Sequence, residues 1–188
     1  MIIHISGAPG SGKTTIGLKL KEHYKTKVIV KDLDDLFAEF MKLNTTKFSS
    51  KKYQNFINDF INKHNNKSII FVGLNSEHIT NNFYNINPDY KFYIDLPVDI
   101  NLKRHFLREI DGWLDWMQNR DKNILFNQLL NDENEVINGL TNSFTRTLKI
   151  SEQKKIIMSF DAHYKTKNYQ FLSSTQIYNK IIKSIIKL

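Results

Sequence analysis

Cysteine is absent from the chain, which excludes a disulfide framework and thiolate metal sites and suits a reducing compartment. Long apolar runs are absent too: none approaches the ~20 residues that a membrane span needs. The N-terminus opens on a strand-like segment rather than on a basic stretch followed by an apolar signal core. These gaps lead to the expectation of a soluble, cytoplasmic protein without a membrane partner. Acidic residues are scarce relative to basic ones, 19 against 27, for a formal net charge of +8. The surplus is densest after Arg146, where eight lysines from Lys149 to Lys187 face only Glu152 and Asp161. Such a balance favours anionic partners, nucleic acid included. Asn, Lys and Ile are abundant throughout, however, and a compositional bias of the gene produces the same excess without functional meaning.

The six histidines, His4, His23, His64, His78, His105 and His163, show no spacing that suits a metal site or a catalytic triad. They are read as surface or structural residues. There is no internal repeat or linker, and 188 residues with 40% apolar content suit one globular domain, 1–188. Short apolar runs mark strands at Ile2–Ser6, Lys27–Lys31, Ser68–Val72, Lys91–Asp95 and Tyr169–Leu172. Helix-like sequence separates them, the pattern of an α/β fold whose parallel sheet is covered on both faces. Tyr53, Phe56, Ile57, Phe60 and Ile61 repeat at helical spacing behind an N-cap at Ser49 or Ser50. A further helix is expected after Pro97-Val98-Asp99, capped by Asp99. The last follows Ser173-Ser174-Thr175 and packs through Ile177, Tyr178, Ile181, Ile182, Ile185 and Ile186. From Asp111 to Lys167 no strand can be read; Trp113, Trp116, Met117 and then Ile124 to Leu130 suggest several short helices. That is more than a sheet connection needs, so approximately 111–167 reads as a helical lid or insert.

One motif carries chemistry. Gly7-Ala8-Pro9-Gly10-Ser11-Gly12-Lys13-Thr14, followed by Thr15, fits G-x-x-x-x-G-K-[ST] and lies between the first strand and a helix expected from Gly12 to Tyr24. Glycines let the backbone curl so that successive N–H groups point into one concavity, and the helix N-terminus adds the positive end of its dipole. In that pattern Lys13 reaches the β- and γ-phosphates of a nucleoside triphosphate, and the Thr14 hydroxyl is a ligand of Mg²⁺. Ile16, Leu18, Leu20 and Tyr24 give the helix its apolar positions.

Asp32-Leu33-Asp34-Asp35 follows the second strand, where the carboxyl ends of parallel strands border ligands. Phosphoryl transfer needs counter-charge for the metal and a group to take the acceptor's hydroxyl proton. Asp32 is assigned to the metal and Asp34 to the acceptor; the competing reading is that they cap a helix starting near Leu36. Arg104 and Arg108 stand one helical turn apart, off the stripe formed by Leu102, Phe106 and Ile110, and are candidates to neutralise transferring charge. A solvated helix face is the plainer account of the pair, and Arg120 and Arg146 are weaker candidates. Gly73 permits close backbone approach after the third strand, and Asn75 is placed to bond an acceptor. No Asp or Glu ends that strand, so the second acidic motif of many P-loop ATPases is missing, as is an Asn-Lys-x-Asp guanine signature.

Taken in order, Gly7–Thr14, Asp32-x-Asp34, the Tyr93-Ile94-Asp95-Leu96-Pro97 run leading to Arg104 and Arg108, and the closing Tyr169–Ser174 segment resemble a small P-loop kinase of the nucleoside-monophosphate-kinase-like group. Shikimate, gluconate and polynucleotide kinases are relatives in architecture. The resemblance implies a P-loop three-layer sandwich with a five-stranded parallel sheet ordered 2-3-1-4-5 and a lid. It implies ATP with Mg²⁺ as donor and a turn at Ser173 and Ser174 bordering the adenine. Adenylate and thymidylate kinases carry Asp-Gly or Asp-Arg where this chain has Gly73-Leu74-Asn75. The Asp-x-Asp pair sits closer to kinases acting on a hydroxyl of a small metabolite, nucleoside or polynucleotide end. The function expected is therefore an ATP-dependent kinase acting on a small acceptor, a nucleoside or nucleotide. A kinase of DNA or RNA ends using the basic C-terminal third, and a P-loop ATPase or nucleotide switch, are the alternatives.

Overall fold

The computed structural model describes residues 1–43, 48–75 and 84–186, the side chain of Ser143 excepted. His78 and Lys187, named above, lie outside the described residues. Five strands form one parallel sheet in the order β2-β3-β1-β4-β5. They are β1 (Ile2–Ser6), β2 (Val28–Asp32), β3 (Ser68–Val72), β4 (Tyr90–Ile94) and β5 (Gln170–Leu172). The expected α/β arrangement and strand order are thus observed, with bounds shifted by one residue at β2 and β4 and with Tyr169 preceding β5.

Side chains alternate across the sheet and feed a core on each face. Ile3, Ile5, Ile70, Val72, Phe92 and Ile94 pack with Ile16, Leu20 and Tyr24 of α1 (Lys13–Tyr24). Ile177 of α7 (Ser174–Lys180) and Ile181 complete that core. On the opposite face Ile69 and Phe71 pack with Leu33, Leu36 and Phe40 of α2 (Leu33–Leu43) and with Tyr53 and Ile57 of α3 (Ser50–Lys63). Ser49 is the cap of α3, accepting from the Lys52 amide. Leu18 of α1 is 61% exposed, contrary to expectation. Gly17 takes the inward position instead, because a Cβ there would lie 3.1 Å from Val72 Cγ2.

The chain divides into two compact units, Met1–Leu96 with Asp161–Leu188, and Pro97–Phe160. The second unit is helical. It contains α4 (Val98–Asn119), α5 (Lys122–Leu148) and most of α6 (Ile150–Lys165), whose last turn from Asp161 belongs to the sheet unit. Long helices therefore replace the several short ones expected. Only Asp132 interrupts α5, with φ −152° and ψ 83°, and its carboxylate accepts the Glu135 amide at 2.9 Å, so the bend is a helix restart with its own cap. Pro97, not Asp99, is the cap position of α4; Asp99 lies in the first turn and pairs with Lys154 at 3.1 Å. The chain leaves α7 through a wider π-helical turn, Ile181–Ile185, closed by the Ile186 amide on the Ile181 carbonyl. The Tyr24 hydroxyl lies 3.3 Å from the carbonyl of Ile181 and 3.1 Å from that of Ile186, tying this last segment to α1.

Candidate functional site

The Gly7–Thr14 loop joins β1 to α1 at the carboxyl edge of the sheet. Gly10 and Gly12 adopt φ of 83° and 97°, a left-handed backbone that a side chain with a Cβ would strain. Gly7 is required for space: a Cβ would fall 2.4 Å from Ser11 Oγ and 3.2 Å from Ile94 Cβ. Ala8 and Ser11 are buried and Pro9 is half-buried, while the Ser11 amide closes the turn on the Ala8 carbonyl at 3.1 Å. Gly12 is the cap residue of α1 and supplies no side-chain cap, and no acidic residue occupies the first turn. The Lys13 ammonium donates to the carbonyls of Gly7 at 2.8 Å and Ala8 at 3.1 Å, so it folds back over the loop. Thr14 and Thr15 are exposed on the first turn, and the Ser11 hydroxyl is buried without a hydrogen-bond partner. Uncapped amides, an ammonium and a hydroxyl on one rim are the donor set an oxyanion takes.

Asp32 ends β2, and its carboxylate accepts the Asp34 amide at 2.9 Å. It therefore caps α2, which begins at Leu33 rather than near Leu36 and carries Asp34 and Asp35 in its first turn. The capping role and a site role are compatible, because one carboxylate oxygen suffices for the cap. Burial pushes the Asp32 pKa up, the Asp34 and Asp35 charges add to this, and the Asp34 amide and the Lys13 ammonium oppose it. Asp34 itself is exposed. Gly73 has φ 127° and lies against this group: a Cβ on it would be 3.3 Å from Asp32 Oδ1. Asp32, Lys13 and Gly73 are thus brought together. Asp32 and the Thr14 hydroxyl are oxygen donors of the type that suits Mg²⁺. Among the described residues no three His, Cys, Asp or Glu side chains converge on a ready-made metal cage.

Local interactions hold several of the other expected residues. Asn75 is 3% exposed and turned inward; its side-chain amide donates to the Tyr84 carbonyl at 2.8 Å and its backbone amide to the Tyr164 hydroxyl at 3.0 Å. Ser173 caps α7 in a reciprocal arrangement with Gln176, and Ser174 opens that helix, both exposed. Arg104 and Arg108 lie exposed on α4 in the helical unit, where Arg108 meets Glu109 at 3.0 Å and His105 at 3.1 Å.

Sequence reasoning passed over a buried polar layer in the sheet unit. His4 is fully enclosed; its Nδ1 lies 2.5 Å from the Tyr169 hydroxyl and its Nε2 3.1 Å from the Gly73 carbonyl. A carbonyl only accepts, so Nε2 carries the proton and the Tyr169 hydroxyl donates to Nδ1. Burial pushes the His4 pKa down to about 4, against the pull of the Gly73 carbonyl and with help from Lys13 and Lys91. Nearby in the chain's register, the Tyr93 hydroxyl donates to Asp161 at 2.7 Å. Burial and Asp161 raise the Tyr93 pKa, while the Ala8 backbone hydrogen-bonds the same oxygen. Burial also raises the pKa of Asp161. The available signal was strand alternation: His4, paired in register with Lys91 and Phe71, must face away from Ile3 and Ile5.

Comparison with protein-family models and with curated proteins finds no match to this chain. Among the described residues no helix is long and apolar enough to cross a membrane.

Proposed function

We propose that the chain is a P-loop kinase that transfers the γ-phosphoryl group of ATP, with Mg²⁺, to a hydroxyl of a small acceptor, a nucleoside or nucleotide. The observation that carries this reading is the loop itself: two left-handed glycines lead into a helix N-terminus without a side-chain cap, with Lys13 folded across the loop carbonyls. A turn held this way presents its amides outward and keeps an ammonium within reach, which suits a triphosphate tail. Thr14 and Asp32 would hold the metal, whose contribution is charge neutralisation on the phosphates. Asp34, exposed beside Asp32, would orient the acceptor hydroxyl and take its proton. Gly73 would allow the acceptor close to the backbone, and the turn at Ser173 and Ser174 would border the base. Arg104 and Arg108 are assigned to charge neutralisation by resemblance to the small P-loop kinases rather than by any contact.

Lys13→Ala tests the proposal. Loss of charge-assisted contacts should weaken ATP·Mg²⁺ binding by about 10- to 100-fold and abolish turnover, with circular dichroism unchanged. Undiminished ATP affinity in the folded variant would reject the site. ATP consumption screened against nucleosides, nucleotides, polyols and 5′-hydroxyl oligonucleotides identifies the acceptor; rapid hydrolysis without any acceptor would instead make the protein an ATPase.

A further inference from the structure

We propose that the cleft between α4 and α5, wholly within the helical unit, is a binding site for a nucleoside. The cleft measures about 820 Å³, within the range of roughly 300–1,000 Å³ typical of small-molecule sites. Both tryptophans of the chain line it. Trp113 packs on Phe144 with ring centroids 4.8 Å apart, and its indole N–H is shielded from solvent with no acceptor. Trp116 is 40% exposed. The helical unit has two glycines, Gly112 on α4 and Gly139 on α5, and both line the same cleft. Apart from the adjoining backbone of its own helix, nothing lies within 4 Å of the position a Cβ would take at either one. Glycine inside a helix is unfavourable relative to alanine, and at these two positions no packing requirement of the chain accounts for it. Bare backbone on both walls beside an indole instead leaves a slot for a flat ring.

The polar lining selects the ligand. Arg108 is engaged by Glu109, and Arg120 lies 4.3 Å over the Trp116 ring while donating to Gln128. With Glu109, Asp132 and Glu135 set against Arg108 and Arg120, carboxylates outnumber guanidiniums along the lining, which disfavours a phosphate. Asp132 and Glu135 line the cleft at the bend of α5 and form no ion pair among the described residues, so surplus acceptors face it. The complementary molecule is uncharged, with a planar heteroaromatic ring to lie along the tryptophan and hydroxyls to donate to the carboxylates. A nucleoside has both.

This inference does not rest on the phosphate loop, and its test is separable from that of the kinase reading. Because both tryptophans line the cleft, emission excited at the red edge of the tryptophan band reports on it directly. Titration of the full chain with adenosine, guanosine, cytidine and thymidine should give a saturable change for at least one, identical in Lys13→Ala. Gly139→Leu fills the slot while favouring the helix, so affinity should fall at least about tenfold with the thermal midpoint unchanged or raised. Gly112→Leu provides the same comparison from the facing helix. Trp116→Ala, read by equilibrium dialysis, should weaken binding without touching either glycine. Absence of a saturable response to every nucleoside, an equal response to ribose or to tryptamine, or unchanged affinity in the folded variants would overturn the proposal.

Discussion

The sheet unit and the helical unit both carry many apolar residues but enclose them very differently. On both faces of the sheet, side chains such as Ile5, Leu36 and Phe71 are fully buried. Among the described side chains of Pro97–Phe160, only Asn101, Leu102, Ile157 and Phe160 are buried, while Phe126 is 59% exposed and Leu130 more so. An interior parallel strand such as β3 has neighbours on both edges and layers on both faces, so its apolar residues find cover. A helix buries one stripe, and apolar residues off that stripe remain in water. The lesson is that apolar content alone says little about what a residue contributes to stability; the number of layers around it decides.

Deleting the same ring from each unit gives the sharpest contrast. Phe71→Ala removes a buried side chain and should cost about 3–5 kcal/mol in denaturant unfolding. Next in size is a pH effect confined to the sheet unit. The His4 pKa of about 4 in the folded chain lies below its unfolded value of 6.5. Its contribution is therefore complete above pH 6.5 and lost as pH falls toward 4, by roughly 3 kcal/mol at the acid end. Asp32 and Asp161 run the other way, since folding raises their pKa and favours their protonated forms. Their share declines as pH rises through the carboxylate range. Unfolding followed from about pH 4 to pH 6.5, the His4 window, should show stability rising with pH, and His4→Gln should flatten the rise; a flat profile in the unaltered chain would mean that the imidazole accepts a proton in place. Asp132→Ala removes the cap that restarts α5 and should cost about 1 kcal/mol, seen as faster amide exchange in the second half of that helix. Phe126→Ala comes last, within about 0.5 kcal/mol of neutral. Equal losses from Phe71→Ala and Phe126→Ala would dissolve the comparison.

What could be read in advance follows the same division. β1 and β3 match their expected bounds because each is a short apolar run covered on both sides; the five strands were legible from such runs, whereas their order was expected only from the resemblance to small P-loop kinases. The start of α2 was misplaced because Asp32 is at once the last strand residue and the cap, which no periodicity separates. The helical unit was read as several short helices because its apolar residues fall in separate groups, Trp113 to Met117 and Ile124 to Leu130, yet α4 runs unbroken through the first and α5 continues beyond the second with a bend at Asp132. The turn between β1 and α1 was legible from the spacing of Gly7 to Thr14. The surroundings of His4 were not, because its partners Tyr169 and Gly73 are brought to it only by the fold. Asn75 was read as able to bond an acceptor, and the partner that the fold brings to its carboxamide, the Tyr84 carbonyl, was not legible.

The pairing of β4 with β5 has a bearing on synthesis. Phe92 and Ile94 take their neighbours from Gln170 and Leu172, and the core over α1 waits for Ile177 and Ile181. Gln170, Leu172, Ile177 and Ile181 all leave the ribosome after the helical unit. Until then a nascent chain would present the open edge of β4 and an uncovered apolar face on α1, both templates for aggregation. Truncations within Pro97–Phe160 should therefore depend on chaperones for solubility, whereas chains extended past Ile186 should not.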